Sequence, residues 1–384
     1  MIKKMPVKPI LHNIRILDFT WALAGPYATR LLGDYGAEVI KVQPLISSEA
    51  DDALARGYYH TWNRNKLGIT LNMDKPEGVT LAKRLAATCD AVVENFTPRV
   101  MANWGLDYKN LKKVKPDVIM VSMSVMGQKR PHRDYAGFGP TVHALSGMTQ
   151  LTSFPGKLPI GPGFSYADHA VGLYASIALL GALEKRGKTG EGQHIDISEV
   201  EAMTSLLKGA ESVPMGNESL VAAPHDVYRC QGENHWCAIT VFTEEEWRGL
   251  KKALENPAWA EDEKFATLST RLDHKEELDR LISGWTCKYT AVEVMARLQR
   301  NGVAAGVVQD AADIVKDPQL RARGFLIEDK GIPFVDATPI KLSKSAAEYN
   351  RGAPAPGQDN DYVYGKLLGM SRGEMAELKA KRVI

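Results

Sequence analysis

The first two hundred residues alternate short apolar runs with helix-like segments, and this alternation limits the possible folds more than any other feature. Apolar runs that predict strands lie at 15–19, 38–42, 67–73, 91–93 and 117–125. Helical spacing lies between them, most clearly at 26–35, where Pro26 would be the first helical residue, and at 77–89. Strand–helix–strand units in series predict an α/β fold with a mostly parallel sheet covered by helices on both sides.

The chain changes character after about residue 203. Residues 208–224 are rich in glycine and proline with little periodicity, which is typical of a linker after a first domain over 1–207. Two capping-box sequences follow, Thr243-x-x-Glu246 and Thr290-x-x-Glu293, and each predicts the start of a helix. We therefore expect a smaller α+β domain over 225–305, and the spacing near the end predicts a last amphipathic helix at 371–381.

Charge and cysteine content exclude several classes of function. The 48 basic and 46 acidic residues leave a net charge of +2, so neither nucleic acid nor an anionic membrane is an expected partner. Four cysteines without a CxxC pair are typical of a reduced, cytoplasmic protein. The longest apolar stretch, 170–183, is shorter than the roughly 20 residues that a bilayer requires, and it predicts a buried helix.

Common catalytic motifs are missing from the sequence. It has no HExxH, no paired Cys/His spacing and no GxSxG, so neither a metal site nor a serine nucleophile is predicted. The turn after the first strand, Trp21-Ala-Leu-Ala-Gly-Pro26, is not GxGxxG, and we expect no permanently bound cofactor. A P-loop-like run ending in Gly187-Lys188-Thr189 is one residue too long and ends a helix, where the dipole repels phosphate.

Asp168 stands where a Gly/Pro-rich segment, 161–167, meets the apolar helix that follows. Aspartate at this point is most often a helix N-cap with no further role. The same position also allows a second interpretation, in which the helix dipole and nearby backbone N–H groups keep the carboxylate ionised as a covalent nucleophile. Local pattern alone leaves both interpretations open.

The segment from Asp168 to Gln193, followed by Ile195-Asp-Ile-Ser198, resembles the signature of the family III CoA-transferases. That family includes formyl-CoA transferase, carnitine CoA-transferase and α-methylacyl-CoA racemase. The resemblance extends in order over nearly the whole chain, through 15–19, 24–26, 32–42, 63–66, 71–78, 93–96, 104–106, 302–308 and 317–325.

The resemblance implies a fold and an assembly. Family members have a large Rossmann-like domain built from both chain ends, so residues 306–384 would form a linker and a return to that domain. Two subunits are threaded through each other in the family. We therefore expect an interlocked homodimer or a hetero-oligomer with a homologous subunit.

The resemblance also implies a mechanism. Asp168 matches the catalytic aspartate of the family, which attacks an acyl-CoA thioester and then carries CoA as an aspartyl thioester. The substrates would be an acyl-CoA, such as succinyl-CoA or acetyl-CoA, and a carboxylic acid. By position, the residues that contact CoA would be Leu23, Ala24, Leu71, Asn72, Met73, Asp74, Asn95, Phe96, Thr97, Asn103, Met126, Gly127 and Gln128. Equally, Leu71 and Met73 are ordinary strand-core residues, and Asn95 suits a turn.

The sequence departs from the family pattern in three places. Pro214-Met-Gly-Asn-Glu-Ser-Leu220 stands where formyl-CoA transferase has a run of glycines, so oxalate and formate are not expected substrates. Phe138 stands where racemase members have an essential histidine, so one of the two groups that carry protons in a racemase is missing. His143, five residues later, could be proposed as a substitute, but packing against a neighbouring helix explains it more simply. Thr97 replaces the usual basic residue after Asn-Phe, with Arg99 two positions later.

Three functions are consistent with these patterns. The first is a CoA-transferase whose acceptor is larger and more apolar than oxalate, an aryl- or alkyl-substituted acid or dicarboxylic acid. Aromatic residues in the matched segments favour such an acceptor: Trp21, Tyr27, Phe138, Phe164 and Tyr166. The alternatives are an acyl-CoA racemase or isomerase, which Phe138 disfavours, and a non-catalytic CoA-binding subunit of a hetero-oligomer.

Overall fold

A computed structural model describes residues 8–45, 53–129, 131–154, 156–207, 219–329 and 332–384. The chain divides into two compact units. The first contains residues 1–150, 159–208 and 321–384, and the second contains residues 151–158 and 209–320. Most of the predicted linker at 208–224 lies outside the described residues.

The first unit contains a six-stranded sheet and the helices that connect its strands. The strands are β1 (Arg15–Asp18), β2 (Glu38–Gln43), β3 (Lys66–Thr70), β4 (Ala91–Glu94), β5 (Ile119–Ser124) and β6 (His194–Ser198). The helices are α1 (Ala24–Asp34), α2 (Ala53–Asn63), α3 (Pro76–Thr88), α4 (Pro98–Asn103), α5 (Tyr108–Val114), α6 (Gly139–Ser146), α7 (Met148–Leu151), α8 (Tyr166–Thr189) and α9 (Glu199–Ser205). Helix α1 begins before Pro26, which is its third residue and not its first.

The sheet is parallel throughout, as the sequence predicts, with strand order β3-β2-β1-β4-β5-β6. All six residues of β5 are buried, because helices cover both faces of a parallel sheet. The strand order reverses between β1 and β4. In open sheets of this kind, ligands bind at the carboxyl ends of the strands beside such a reversal.

Helix α8 packs along α1, and a glycine sets the distance between them. A Cβ on Gly172 would lie 2.8 Å from the carbonyl oxygen of Ala24, so only glycine fits without a shift. By length and composition α8 is also apolar enough to cross a membrane, but its inner face, including Val171 and Leu179, lies in the core. The sequence predicts a buried helix, but α8 is buried on one face only. Ile177, on the opposite face, is 68% exposed.

A buried cluster of charges fixes the loop between β1 and α1. The Asp18 carboxylate accepts hydrogen bonds from the Thr20 backbone N–H (2.8 Å), the Thr29 hydroxyl (2.7 Å) and the Lys66 ammonium (3.0 Å). The Lys41 ammonium donates to the Thr20 carbonyl. These lysines and hydroxyls lower the pKa of Asp18 to about 2 although it is fully buried. The loop that follows β1 is therefore held from several sides.

The chain between 225 and 322 contains β7 (His225–Arg229), β8 (Trp236–Thr240), α10 (Glu244–Ala253), α11 (Leu268–Asp273), α12 (Lys275–Thr286), α13 (Ala291–Arg300), β9 (Ala304–Val307), α14 (Ala311–Lys316) and α15 (Pro318–Ala322). The three strands form an antiparallel sheet in the order β7-β8-β9. Both predicted capping boxes are formed, at Thr243 and at Thr290.

The C-terminal part of the first unit contains β10 (Leu326–Asp329), β11 (Ile332–Asp336), a π-helical segment (Asp361–Leu367) and α16 (Arg372–Ala380). Helix α16 confirms the predicted last helix, and Ser371 caps it. The chain ends against the sheet: the Asn72 backbone N–H donates to the Val383 carbonyl (2.8 Å), and Val383 is buried in the core.

Candidate active site

Asp168 is the third residue of α8. The interpretation of Asp168 as the N-cap of this helix is therefore wrong. The N-cap is Ser165, whose side chain makes no capping hydrogen bond. The helix starts earlier because a residue far away in sequence satisfies its first turn: His143 Nε2 accepts the backbone N–H of Ala167 at 3.1 Å. His143 is buried on α6, and burial lowers its pKa, which favours the neutral ring that such an acceptor requires. The packing role expected for His143 is thus observed.

Two helix N-termini meet at the Asp168 carboxylate. Its own backbone N–H, at the start of α8, and the N–H of Ala24, the first residue of α1, lie near it and favour its ionised form. Burial nevertheless raises the pKa of Asp168 above its ordinary value, although these N–H groups and His169 oppose the rise. The N–H groups at the two helix starts favour the ionised carboxylate, as the second interpretation predicts, and desolvation acts against them.

Gly139, the first residue of α6, is in direct contact with this carboxylate. A Cβ at position 139 would lie 2.5 Å from Asp168 Oδ2, a distance that no real contact allows. The missing side chain therefore gives the carboxylate its position.

Replacing Gly139 with alanine is expected to displace the Asp168 carboxylate while the protein stays folded. A displacement of about 1 Å at a reacting group costs on the order of 10²-fold in rate, and we expect a loss of that size in kcat. The measurement is kcat beside thermal unfolding. Gly284→Ala on α12 is the matched control, because a Cβ there has nothing within 4 Å; equal losses in both variants would contradict the assigned role.

Asp168 lies in a cavity of about 270 Å³, which we name the inner cavity. Its walls are mostly apolar. The lining residues are Trp21, Ala22, Asn95, Phe96, Thr97, Val100, Ser124, Val125, Ala136, Gly137, Phe138, Asp168 and Glu199. Among these described residues there are two carboxylates and no lysine or arginine. The cavity is therefore suited to a small, mostly apolar group held beside a partly buried carboxylate.

A second cavity, of about 600 Å³, is the outer cavity. Phe96 lines both cavities, so they are neighbours. The outer cavity is lined by Phe19, Val42, Gln43, Pro44, Leu45, Leu71, Asn72, Met73, Asp74, Lys75, Phe96, Trp104, Lys381 and Arg382. It combines an apolar floor with three basic side chains, which suits a long ligand with an anionic end.

The structure divides the predicted ligand contacts among several places. Leu71, Asn72, Met73 and Asp74 line the outer cavity, Asn95 and Thr97 line the inner one, and Phe96 lines both. Leu23 and Ala24 are buried. The group of Ala24 that faces the site is its backbone N–H, which lies near the Asp168 carboxylate. Asn103, Met126, Gly127 and Gln128 are among the lining residues of neither cavity, and the Gln128 N–H donates to Asp196.

The Asn95 side chain stabilises the loop that follows β1. Its side-chain oxygen accepts the Trp21 backbone N–H (2.9 Å), and its amide donates to the Trp21 carbonyl (3.0 Å). Both polar ends of Asn95 are used in this way. The side chain thus joins the end of β4 to the loop that the Asp18 cluster also holds.

Two of the five aromatic residues expected around the acceptor line the inner cavity. Trp21 and Phe138 contact each other there, with ring centroids 5.9 Å apart. The other three group around His169: Tyr27 contacts its ring at 5.0 Å, and Phe164 contacts both His169 and Tyr166. Phe138 offers no group that exchanges a proton.

Sequence reasoning missed several polar residues of the cavities, among them Ser124, Glu199, Lys381 and Arg382. Ser124 and Glu199 follow from the topology, since they stand at the carboxyl ends of β5 and β6. No local pattern marks Lys381 and Arg382, because the fold of the C-terminus alone brings them to the outer cavity.

Comparison with known proteins agrees with this geometry. The model of CoA-transferase family III matches residues 11–360. A succinyl-CoA–D-citramalate CoA-transferase of Chloroflexus aurantiacus is 34% identical, with all of both chains covered. A succinate–glutarate CoA-transferase of Agrobacterium fabrum is 32% identical over 95% of this chain and 97% of that one. A CAIB/BAIF family crystal structure from Brucella suis superposes with a TM-score of 0.85 at 30% identity, covering 93% of this chain and 99% of that one.

The chain therefore belongs to CoA-transferase family III. It is an enzyme, a CoA-transferase, and its substrates are CoA thioesters and carboxylic acids.

Proposed function

We propose that this enzyme moves CoA from succinyl-CoA to a short carboxylic acid through an aspartyl-CoA thioester on Asp168. The observation that supports this most is the position of the Asp168 carboxylate. It is partly buried beside two helix N-termini, in a cavity that fits a small acyl group. Succinate or succinyl-CoA also stands in the names of both relatives described above.

The reaction balances without ATP or a metal. An Asp168 oxygen attacks the thioester carbonyl carbon, the C–S bond breaks, and a mixed anhydride and CoA thiolate form. The thiolate attacks the Asp168 carbonyl carbon, which releases succinate and leaves the aspartyl-CoA thioester. The acceptor acid reverses both steps. The backbone N–H groups of Ala24 and Asp168 lie where negative charge develops on oxygen, and they stabilise it.

CoA would extend through both cavities, with its sulfur in the inner one and its nucleotide in the outer one. Their common residue Phe96 marks the passage between them. Thr97 supplies no positive charge where the family has a basic residue. Lys75, Lys381 and Arg382 of the outer cavity provide that charge here and would pair with the phosphates.

The relatives favour a dicarboxylic acid of four or five carbons as acceptor. The acids in the names of the relatives, citramalate and glutarate, are of this size. The Trp21 and Phe138 rings leave little room for an aryl group but pack well on an alkyl branch.

A panel of acids with succinyl-CoA as donor tests this function. Product acyl-CoA is followed by chromatography, and we expect the highest kcat/KM for four- and five-carbon dicarboxylic acids. Deuterium exchange at the α-carbon of an acyl-CoA without CoA transfer would instead support a racemase. CoA binding with neither CoA transfer nor deuterium exchange would support a non-catalytic CoA-binding subunit.

We also propose that the chain acts as a dimer, as the family resemblance implies. The outer face of α8 exposes Leu173, Ile177 and Leu180 at helical spacing, an apolar stripe that water disfavours.

Light scattering after size exclusion is expected to give twice the chain mass of 42.2 kDa. Ile177→Asp should shift the protein toward the monomer, because burying an unpaired carboxylate in an interface is costly. Val114→Asp changes an exposed valine elsewhere and serves as the control. A wild-type monomer, or equal behaviour of both variants, would contradict the proposal.

A further inference from the structure

Two polar side chains of the inner cavity have no partner within the described part of the chain. Ser124 is 4% exposed, and its hydroxyl makes no hydrogen bond. Glu199 is 6% exposed, and its carboxyl group has neither a hydrogen bond nor an ion pair there. Buried polar groups are almost always paired, so the unpaired Ser124 hydroxyl, in the same cavity as the Glu199 carboxyl group, indicates a missing ligand.

The two side chains are neighbours because of the sheet register. Ser124 of β5 pairs with Ser198 of β6, and Glu199 is the next residue. Both therefore lie at the carboxyl edge of the sheet, in the same cavity as Asp168. Because the three side chains line one cavity of about 270 Å³, a ligand bound to Asp168 would lie close to both.

Glu199 is the carboxyl group of this cavity that holds a proton. Two neighbouring buried carboxylates with no cation between them do not both ionise. Burial raises the pKa of Glu199 to about 8, and the Asp168 charge adds to the rise. The titratable groups on its own helix and on the elements packed against it are Glu201 on α9, His143 on α6, His194 and Asp196 on β6, and Tyr166, Asp168, His169, Tyr174, Glu184, Lys185, Arg186 and Lys188 on α8. Of these, Asp168 lines the inner cavity together with Glu199.

We propose that Glu199 is a further catalytic residue: its neutral carboxylic acid, together with the Ser124 hydroxyl, donates a hydrogen bond to the carboxylate of the acid that exchanges CoA. The proposal rests on the function proposed above. It explains how an anionic acid enters this cavity, since an ionised Glu199 would repel it.

Glu199 keeps its proton throughout this step. The acid's carboxylate oxygen forms a bond to the Asp168 acyl carbon while the C–S bond breaks and CoA leaves as thiolate. In the reverse direction the departing carboxylate gains negative charge, and the Glu199 and Ser124 donors stabilise it. Atoms and charge balance without any co-reactant.

Two variants of similar size separate donation from packing. Glu199→Met removes the donor and is expected to raise KM for the free acid about 10- to 100-fold, with a much smaller change in KM for succinyl-CoA, which the outer cavity also holds. Glu199→Gln keeps an N–H donor and is expected to raise KM for the acid by less than about fivefold. Glu201→Gln, an exposed change on the same helix, is the control.

The pH dependence gives a readout that packing does not change. Above about pH 8 the wild type loses the Glu199 proton, so KM for the acid should rise with pH. In Glu199→Gln this rise should disappear, because an amide does not titrate. This profile also tests the proposal if Glu199→Met does not fold.

The outcomes separate the two proposals. Absence of CoA transfer in the wild type overturns the proposed function. Transfer in the wild type with the same acid KM and the same alkaline profile in all three proteins overturns the role of Glu199 alone. A selective, pH-dependent change in acid KM supports it.

Discussion

Replacing Asp168 with asparagine is expected to lower kcat for CoA transfer by at least about 10³-fold. Loss of a covalent nucleophile removes the two-step route, and only binding and oriented dipoles remain. Asparagine fits the same space and lies beside the same backbone N–H groups, so the helix starts at α1 and α8 are preserved. The measurement is steady-state transfer from succinyl-CoA, with the product acyl-CoA quantified.

Two controls make this result specific. Asp134→Asn changes an exposed aspartate, 52% accessible, and should transfer CoA like the wild type. The Kd of Asp168→Asn for CoA should also change little, because the outer cavity is not altered. If Asp168→Asn retained wild-type kcat, the nucleophile would have to lie elsewhere.

Replacing Asp18 with asparagine is expected to lower the free energy of unfolding by about 3–5 kcal/mol, because it leaves the buried Lys66 ammonium without its counter-charge. Urea unfolding measures the change. Glu184→Gln removes an exposed ion pair with Lys188 and should leave the midpoint unchanged. Equal midpoints for Asp18→Asn and wild type would show that the cluster does not support the fold.

Acid unfolding provides a second check on Asp18. Its pKa in the folded protein is about 2, below the value of 3.8 for an unperturbed aspartate, so the folded state stabilises the ionised form. That stabilisation is complete above about pH 4 and is lost as the pH falls toward 2. The pH dependence of stability over this range should therefore be weaker in Asp18→Asn.

The parallel sheet could be predicted from the sequence because its strands are buried on both faces. Continuous apolar runs such as 117–125 result from that burial, although the strand itself covers only Ile119–Ser124. Capping boxes were equally predictable, since Thr243 and Glu246 satisfy each other within four residues.

The start of α8 was not predictable, because its first turn is satisfied by His143 from another helix. The same limit applies to the site. Asp168 could be selected by its family signature, but its contact with Gly139 and the Ala24 N–H depends on three segments meeting in space. Glu199 was missed because a single glutamate after a strand has no distinguishing local pattern.

The chemical identity of the intermediate tests the central claim most directly. The enzyme is mixed with succinyl-CoA alone, treated with hydroxylamine or borohydride, and the peptide that contains residue 168 is examined by mass spectrometry. A hydroxamate or an alcohol at the Asp168 side chain is the expected result, since both reagents attack an acyl thioester. An unmodified Asp168 in a preparation that transfers CoA at full rate would contradict the account.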